Sequence, residues 1–185
     1  MEEFNLNEPK TYYEQMIIDA KNHEDYLFHN NCITVKRPDI YSIILDNAEK
    51  EVSLVINYET TVSEEITSNQ KFINSIKNFL DKPDTILRVI ITHAPENRVI
   101  DNKFYKLLLN HPAYTDGRIV IKFIEGDKCF RRTDDKSNDE VEFCTGDDRM
   151  FNICVVGEQY DMTNFNKPEW TEGMVKKFKE TLEKI

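Results

Sequence analysis

Glycine is scarce in this chain: five in 185 residues. That leaves too few for a loop that cradles a nucleotide phosphate, and neither the dinucleotide nor the P-loop spacing occurs. No strand-turn-helix of the GxSxG kind is present, which excludes the usual serine-nucleophile elbow. The four cysteines, Cys32, Cys129, Cys144 and Cys154, show no CxxC and no paired spacing, so they read as free thiols and not as metal ligands. Positive charge is in deficit: 24 Lys and Arg stand against 34 Asp and Glu, for a net charge of −10. Such a balance argues against a general binder of nucleic acid or anionic lipid. No apolar run approaches the roughly 18 residues of a membrane span. The start, Met1-Glu2-Glu3, lacks the positive flank and apolar stretch of a signal peptide. The expectation is a cytoplasmic protein with no cofactor, no metal and no membrane contact.

What the chain does have is alternation. Its clearest stretch runs from Gly146 to the C-terminus. Gly146-Asp147-Asp148-Arg149 is a turn, Met150 to Val156 is rich in β-formers, and Asn166 with Pro168 and Glu169 marks a helix start. Trp170, Met174, Phe178 and Leu182 recur every fourth residue and predict the buried face of a closing helix over 168–182. Upstream, residues 9–28 carry Tyr12, Tyr13, Met16, Ile17 and Ala20 at helical spacing, and Ile33 to Val35 is a short extended piece. A helix over 38–50 feeds a strand at 52–58. A polar loop over 59–65 leads to a helix at 66–80, then to a strand at 86–92 that ends on His93. A helix over 102–110, a strand over 118–124, a solvated loop over 128–140 and a strand over 141–144 complete the series. The length suits one buried core. The expected fold is a single α/β domain, mostly parallel in its sheet, with helices on both faces and a C-terminal antiparallel hairpin plus closing helix.

Three pieces of this pattern, DNAEKEVSLVIN, FINSIKNFLDKPDTILRVIITH and the strand-turn-helix from Asp147 to Leu182, resemble the phospholipase D-like fold in a small, degenerate form. The resemblance implies one such domain over 1–185 with an N-terminal helical extension at about 1–35. In that family the chemistry belongs to His-x-Lys-x4-Asp, whose histidine attacks phosphorus. None of His23, His29, His93 and His111 has lysine two residues on, and where the histidine strand would fall the chain reads Val141-Glu142-Phe143-Cys144. The resemblance therefore implies no phospholipase D reaction.

His93 is the leading candidate site residue, at the end of a central strand where open α/β sheets form their ligand crevices. Asn97, Arg98 and Asp101 follow it in the same loop, and Arg131 and Arg132 form the basic cluster of an acidic chain. Asp134, Asp135, Asp139 and Glu140 lie beside that pair and offset it. Asp147 and Asp148 read as turn chemistry and not as metal ligands. With no catalytic set in view, the first expectation is a non-catalytic interaction or regulatory module of a bacterial-type cytosolic system. It would dock on a protein partner or self-associate through aromatics such as Tyr12, Tyr13, Tyr58, Phe104, Tyr105 and Trp170. The alternative is a phosphodiesterase or nuclease with a divergent site around His93. A polar pocket at His93 favours the enzyme, and a flat aromatic patch favours the module.

Overall fold

The computed structural model describes residues 11–31, 36–59, 61–93, 103–124, 130–131, 139–156, 158 and 160–185. Seven strands form one sheet in the order β1-β7-β6-β5-β2-β3-β4. The strands are β1 Phe28–Asn31, β2 Glu51–Asn57, β3 Ile86–Thr92, β4 Ile119–Ile124, β5 Val141–Gly146, β6 Met150–Val155 and β7 Tyr160–Asn164. The helices described are α1 Tyr12–Asn22, α2 Arg37–Asn47, α3 Thr61–Ser68, α4 Gln70–Asp81, α5 Lys103–Asn110, α6 Pro112–Thr115 and α7 Pro168–Leu182. The α/β class, the C-terminal hairpin of β5 and β6 and the closing helix agree with the sequence. The sheet is mixed. β2, β3 and β4 run parallel, joined by helical crossovers, while the other four pairings are antiparallel.

α2 is the centre of the packing. Ile40, Tyr41, Ser42, Ile43, Ile44 and Leu45 are all buried, so it is covered on nearly every side, as a helix with apolar residues all round must be. It lies between α1 and α4 on one side and β5 and β6 on the other. The approach is close enough to demand glycine on the strand: a Cβ at Gly146 would lie 2.6 Å from Cγ2 of Ile44. The larger core fills this face, and a smaller one of Val55, Ile90, Phe130, Phe143 and Phe178 fills the other, beneath α7.

The turn between β5 and β6 clamps the layers. Asp147, in a left-handed conformation with φ 52, accepts from the backbone N–H groups of Glu49, Lys50 and Glu51, the shortest contact being 2.8 Å to Lys50. One carboxylate thus satisfies the start of β2. Arg149 donates to the carbonyls of Asn47 at 3.1 Å and Phe165 at 2.7 Å, which ties the open C-terminal end of α2 to the loop before α7.

Local chemistry sets where the elements depart from the sequence reading. α1 begins on a capping box between Thr11 and Glu14 and ends at His23 in the left-handed region, so the segment to 28 is not all helix. The polar loop over 59–65 contains the start of α3, and Asn69 caps α4 by accepting from the N–H of Phe72 at 3.0 Å. The piece over 33–35 lies outside the described residues; the extended segment described there is β1. β7 was not anticipated, because its inward residues Asp161 and Thr163 are polar and buried. Asn166 does not cap α7: its side chain donates to the carbonyl of His23 at 2.7 Å, and Lys167 stands at the cap. On α7 Phe178 is fully buried, whereas Trp170 is 46% exposed. No described helix is long and apolar enough to cross a membrane.

Two outcomes check this packing. Phe178→Ala, which opens a void against Phe130 and Phe143, should lower stability by about 3–5 kcal/mol in chemical denaturation, and an unchanged midpoint would refute the buried face. Burial holds the hydroxyls of Tyr41 and Tyr105 above their ordinary pKa. The folded state keeps those protons where the unfolded chain releases them, so this contribution is complete below about pH 10 and is lost as pH rises beyond it. Absorbance titration should find two of the eight tyrosines silent until alkaline unfolding.

Candidate active site

The site lies where the sheet changes direction. β2 continues to pair with β3 as far as Asn57↔Thr92, but its pairing with β5 stops at Val55↔Phe143. Past that point the β5 pairing of β2 ends while its β3 pairing continues, at the carboxyl end of a central strand, the region in which α/β sheets form crevices. The N–H of Asn57 has no strand partner on the β5 side. A carboxylate replaces it: Asn57 N donates to Oε1 of Glu142 at 2.8 Å.

Glu142 is itself buried, and its other oxygen accepts from Nη1 of Arg37 at 2.9 Å. Nε of Arg37 lies 3.6 Å from Oδ2 of Asp161. The register puts Glu142 opposite Cys154 and Cys154 opposite Asp161, so the two carboxylates share the sheet face on which α2 begins. Charges removed from water in this way must be paired and hydrogen-bonded to persist. Tyr41 stands beside them. Burial raises its pKa first, Arg37 opposes that, and Glu142 adds to it. Cys144, on the same face, is raised by burial alone.

From this buried group the polar contacts run outward through Asn57. Its Oδ1 accepts from the N–H of Glu59 at 2.9 Å, and its Nδ2 donates to Oε2 of Glu140 at 3.1 Å. The same Glu140 oxygen lies 2.8 Å from Nε2 of His93, and Glu140 Oε1 lies 3.5 Å from Nη2 of Arg131. Nδ1 of His93 is 4.0 Å from the exposed carboxylate of Glu59. His93 takes φ 58, a left-handed conformation that turns its side chain out of the strand repeat, and histidine tolerates it better than most residues. Its N–H still bonds the carbonyl of Ile124 at 3.1 Å. An isolated bridge pairs Arg131 with Glu140 and brings the arginine to the same place.

Two of the residues singled out by sequence, His93 and Arg131, therefore meet on Glu140. Asn97, Arg98, Asp101 and Arg132 lie outside the described residues. Sequence reasoning missed Asn57, Glu59, Glu142, Arg37 and Asp161, and it took Glu140 only as a charge offsetting the arginines. The sequence hid Glu142: Glu140 and Glu142 alternate with Val141 and Phe143 as solvent-facing residues would, and only its pairing with Arg37 accounts for its burial. Among the described residues no group of three His, Cys, Asp or Glu is arranged to hold a metal ion.

No family model matches this chain, and a search of curated proteins finds no match. Solved structures similar to it include NucT from Helicobacter pylori, 11% identical over 86% of this chain and 95% of that one, with a TM-score of 0.49. They also include Nuc from Salmonella typhimurium, a phospholipase D family member, 12% identical over 85% of this chain and 93% of that one, with a TM-score of 0.46. These values describe the overall layout, and no residue role passes from either protein to this chain. The expectation of a docking module that is not an enzyme is corrected here. Its aromatics are largely interior: Phe104 and Tyr105 are buried, Tyr12, Tyr13 and Tyr58 pack on the core, and Trp170 stacks on Phe151. Polar groups converge at His93 instead.

The buried pair has a measurable consequence. Glu142→Ala takes from Arg37 its 2.9 Å carboxylate partner and from the Asn57 N–H its acceptor and should cost about 3–5 kcal/mol, whereas Arg37→Met, Glu142→Leu and Asp161→Leu together, which remove all three charges, should recover much of the loss. Denaturation midpoints decide it; a Glu142→Ala protein as stable as wild type would mean that the pair is not buried in solution.

Proposed function

We propose that this chain is a phosphodiesterase whose reacting group is His93. The observation that carries the reading is the 2.8 Å contact between Nε2 of His93 and Glu140, at the end of the central strands, with Arg131 and Asn57 on the same carboxylate. A carboxylate that accepts Nε2–H favours the tautomer in which Nδ1 carries the lone pair. That nitrogen can take a proton from water as the water oxygen attacks phosphorus. The new P–O bond forms, the ester P–O bond breaks, and the proton held by His93 passes to the departing alkoxide, giving a phosphomonoester and an alcohol. Arg131 supplies the fixed positive charge for the phosphoryl oxygens, which in a partly enclosed site is the larger share of the gain. Glu140 is a positioning residue: its partner contacts orient the imidazole, and orientation is what an unheld histidine lacks.

The test is hydrolysis of bis(p-nitrophenyl) phosphate and of a single-stranded oligonucleotide by the purified chain, with and without divalent metal. Wild type should turn over. His93→Ala should lose at least about 100-fold, the typical worth of a general base, and Glu140→Gln should lose less while shifting the pH profile. No turnover in any condition, or equal turnover in His93→Ala, would overturn the assignment.

A further inference from the structure

On the face of the sheet that α7 covers, a cavity of about 660 Å³ lies open, within the range of small-molecule sites. Its shape follows from how α7 is held. Near one end of the helix Trp170 stacks on Phe151 with ring centroids 5.8 Å apart. Toward the other end Phe178 packs on Phe130 and Phe143 at about 6 Å. Eight residues of helix, about 12 Å, span these two aromatic supports. Between them the helix presents Gly173, where a Cβ would meet nothing within 4 Å, and Met174. The facing sheet offers Val141, Ile153, Val155 and Met162, of which the last three are only half-covered. Glycine inside a helix costs about 1 kcal/mol relative to alanine, and no close contact requires it here.

Among the described residues, the charged groups around the cavity are Arg131, Asp139, Glu158, Asp161 and Lys177, beside the neutral imidazole of His29. Asp161 faces Arg37 and Arg131 faces Glu140, which balances those two. Lys177 is then set against Asp139 and Glu158, in a protein of net charge −10. The field in the opening is negative, and an indole face at Trp170 stands beside it. We infer that this cavity is a binding site for an apolar organic cation, an amine on an aliphatic or aromatic body; it borders the proposed phosphodiesterase site at Arg131 but does not rest on that reading.

Trp170 is the single tryptophan of the chain and lines the cavity, so its fluorescence reports occupancy. Decylamine, decanol and decanoate, each below its micelle concentration, are titrated into the full chain. The site requires a saturable blue shift with decylamine, weaker binding of decanol and weaker still of decanoate. Gly173→Phe should fill the cavity and abolish the response. Because that variant could misfold, Glu158→Lys with Asp139→Lys, both at exposed positions, should weaken decylamine by roughly five-fold and leave decanol unchanged. Equal binding of all three probes, or no saturable shift, would overturn the proposal, as would a decylamine response untouched by both variants.

Discussion

One carboxylate joins the interior of this protein to its site. Glu142 accepts from Arg37 at the start of α2 and from the N–H of Asn57 at the end of β2. α2 is buried on nearly every side, so its first residue cannot turn to solvent, and the guanidinium it carries inward must meet a buried anion. β2 loses its β5 partner at Val55, so an N–H at its end also needs an acceptor. Glu142 answers both needs. Once it does, Asn57 is fixed, and through Asn57 so are Glu140 and His93. The opening of the sheet and the placing of the site have one cause.

The opposite end of α2 shows the same economy. Asp147 takes three N–H groups at the start of β2, and Arg149 takes the carbonyl of Asn47. The two ends of β2, one held by Asp147 and the other by Glu142, are thus fixed by side chains of the β5 hairpin. This rigid central strand is what allows a histidine in a left-handed conformation to be held at the end of its neighbour.

How much of this the sequence made legible depends on whether apolar periodicity marked the element. β2 and β3, continuous apolar runs, were placed to within a residue, and so was α7, through Pro168 and its four-residue repeat. β7 leaves no apolar pattern because Asp161 and Thr163 point inward, Asp161 in an ion pair with Arg37 and the Thr163 hydroxyl accepting from the Asn152 side chain at 2.8 Å; polar residues buried by long-range pairing break the alternation. α7 was found but its face was partly misjudged, since Trp170 and Met174 border a cavity. Of the site, His93 was legible as a strand end. Its partner Glu140 lies 47 residues on, and only the register of β5 against β2 brings them together.

The central claim is that Glu140 accepts Nε2–H of His93 and leaves Nδ1 as the base. Nitrogen NMR of the imidazole, assigned by loss of its signals in His93→Gln, reads that tautomer directly. The account predicts that in the neutral ring Nε2 is protonated with a hydrogen-bonded shift, lost in Glu140→Ala, and Nδ1 is unprotonated. A neutral ring carrying its proton on Nδ1 would contradict it, because Nδ1 would then be a donor where a base is required.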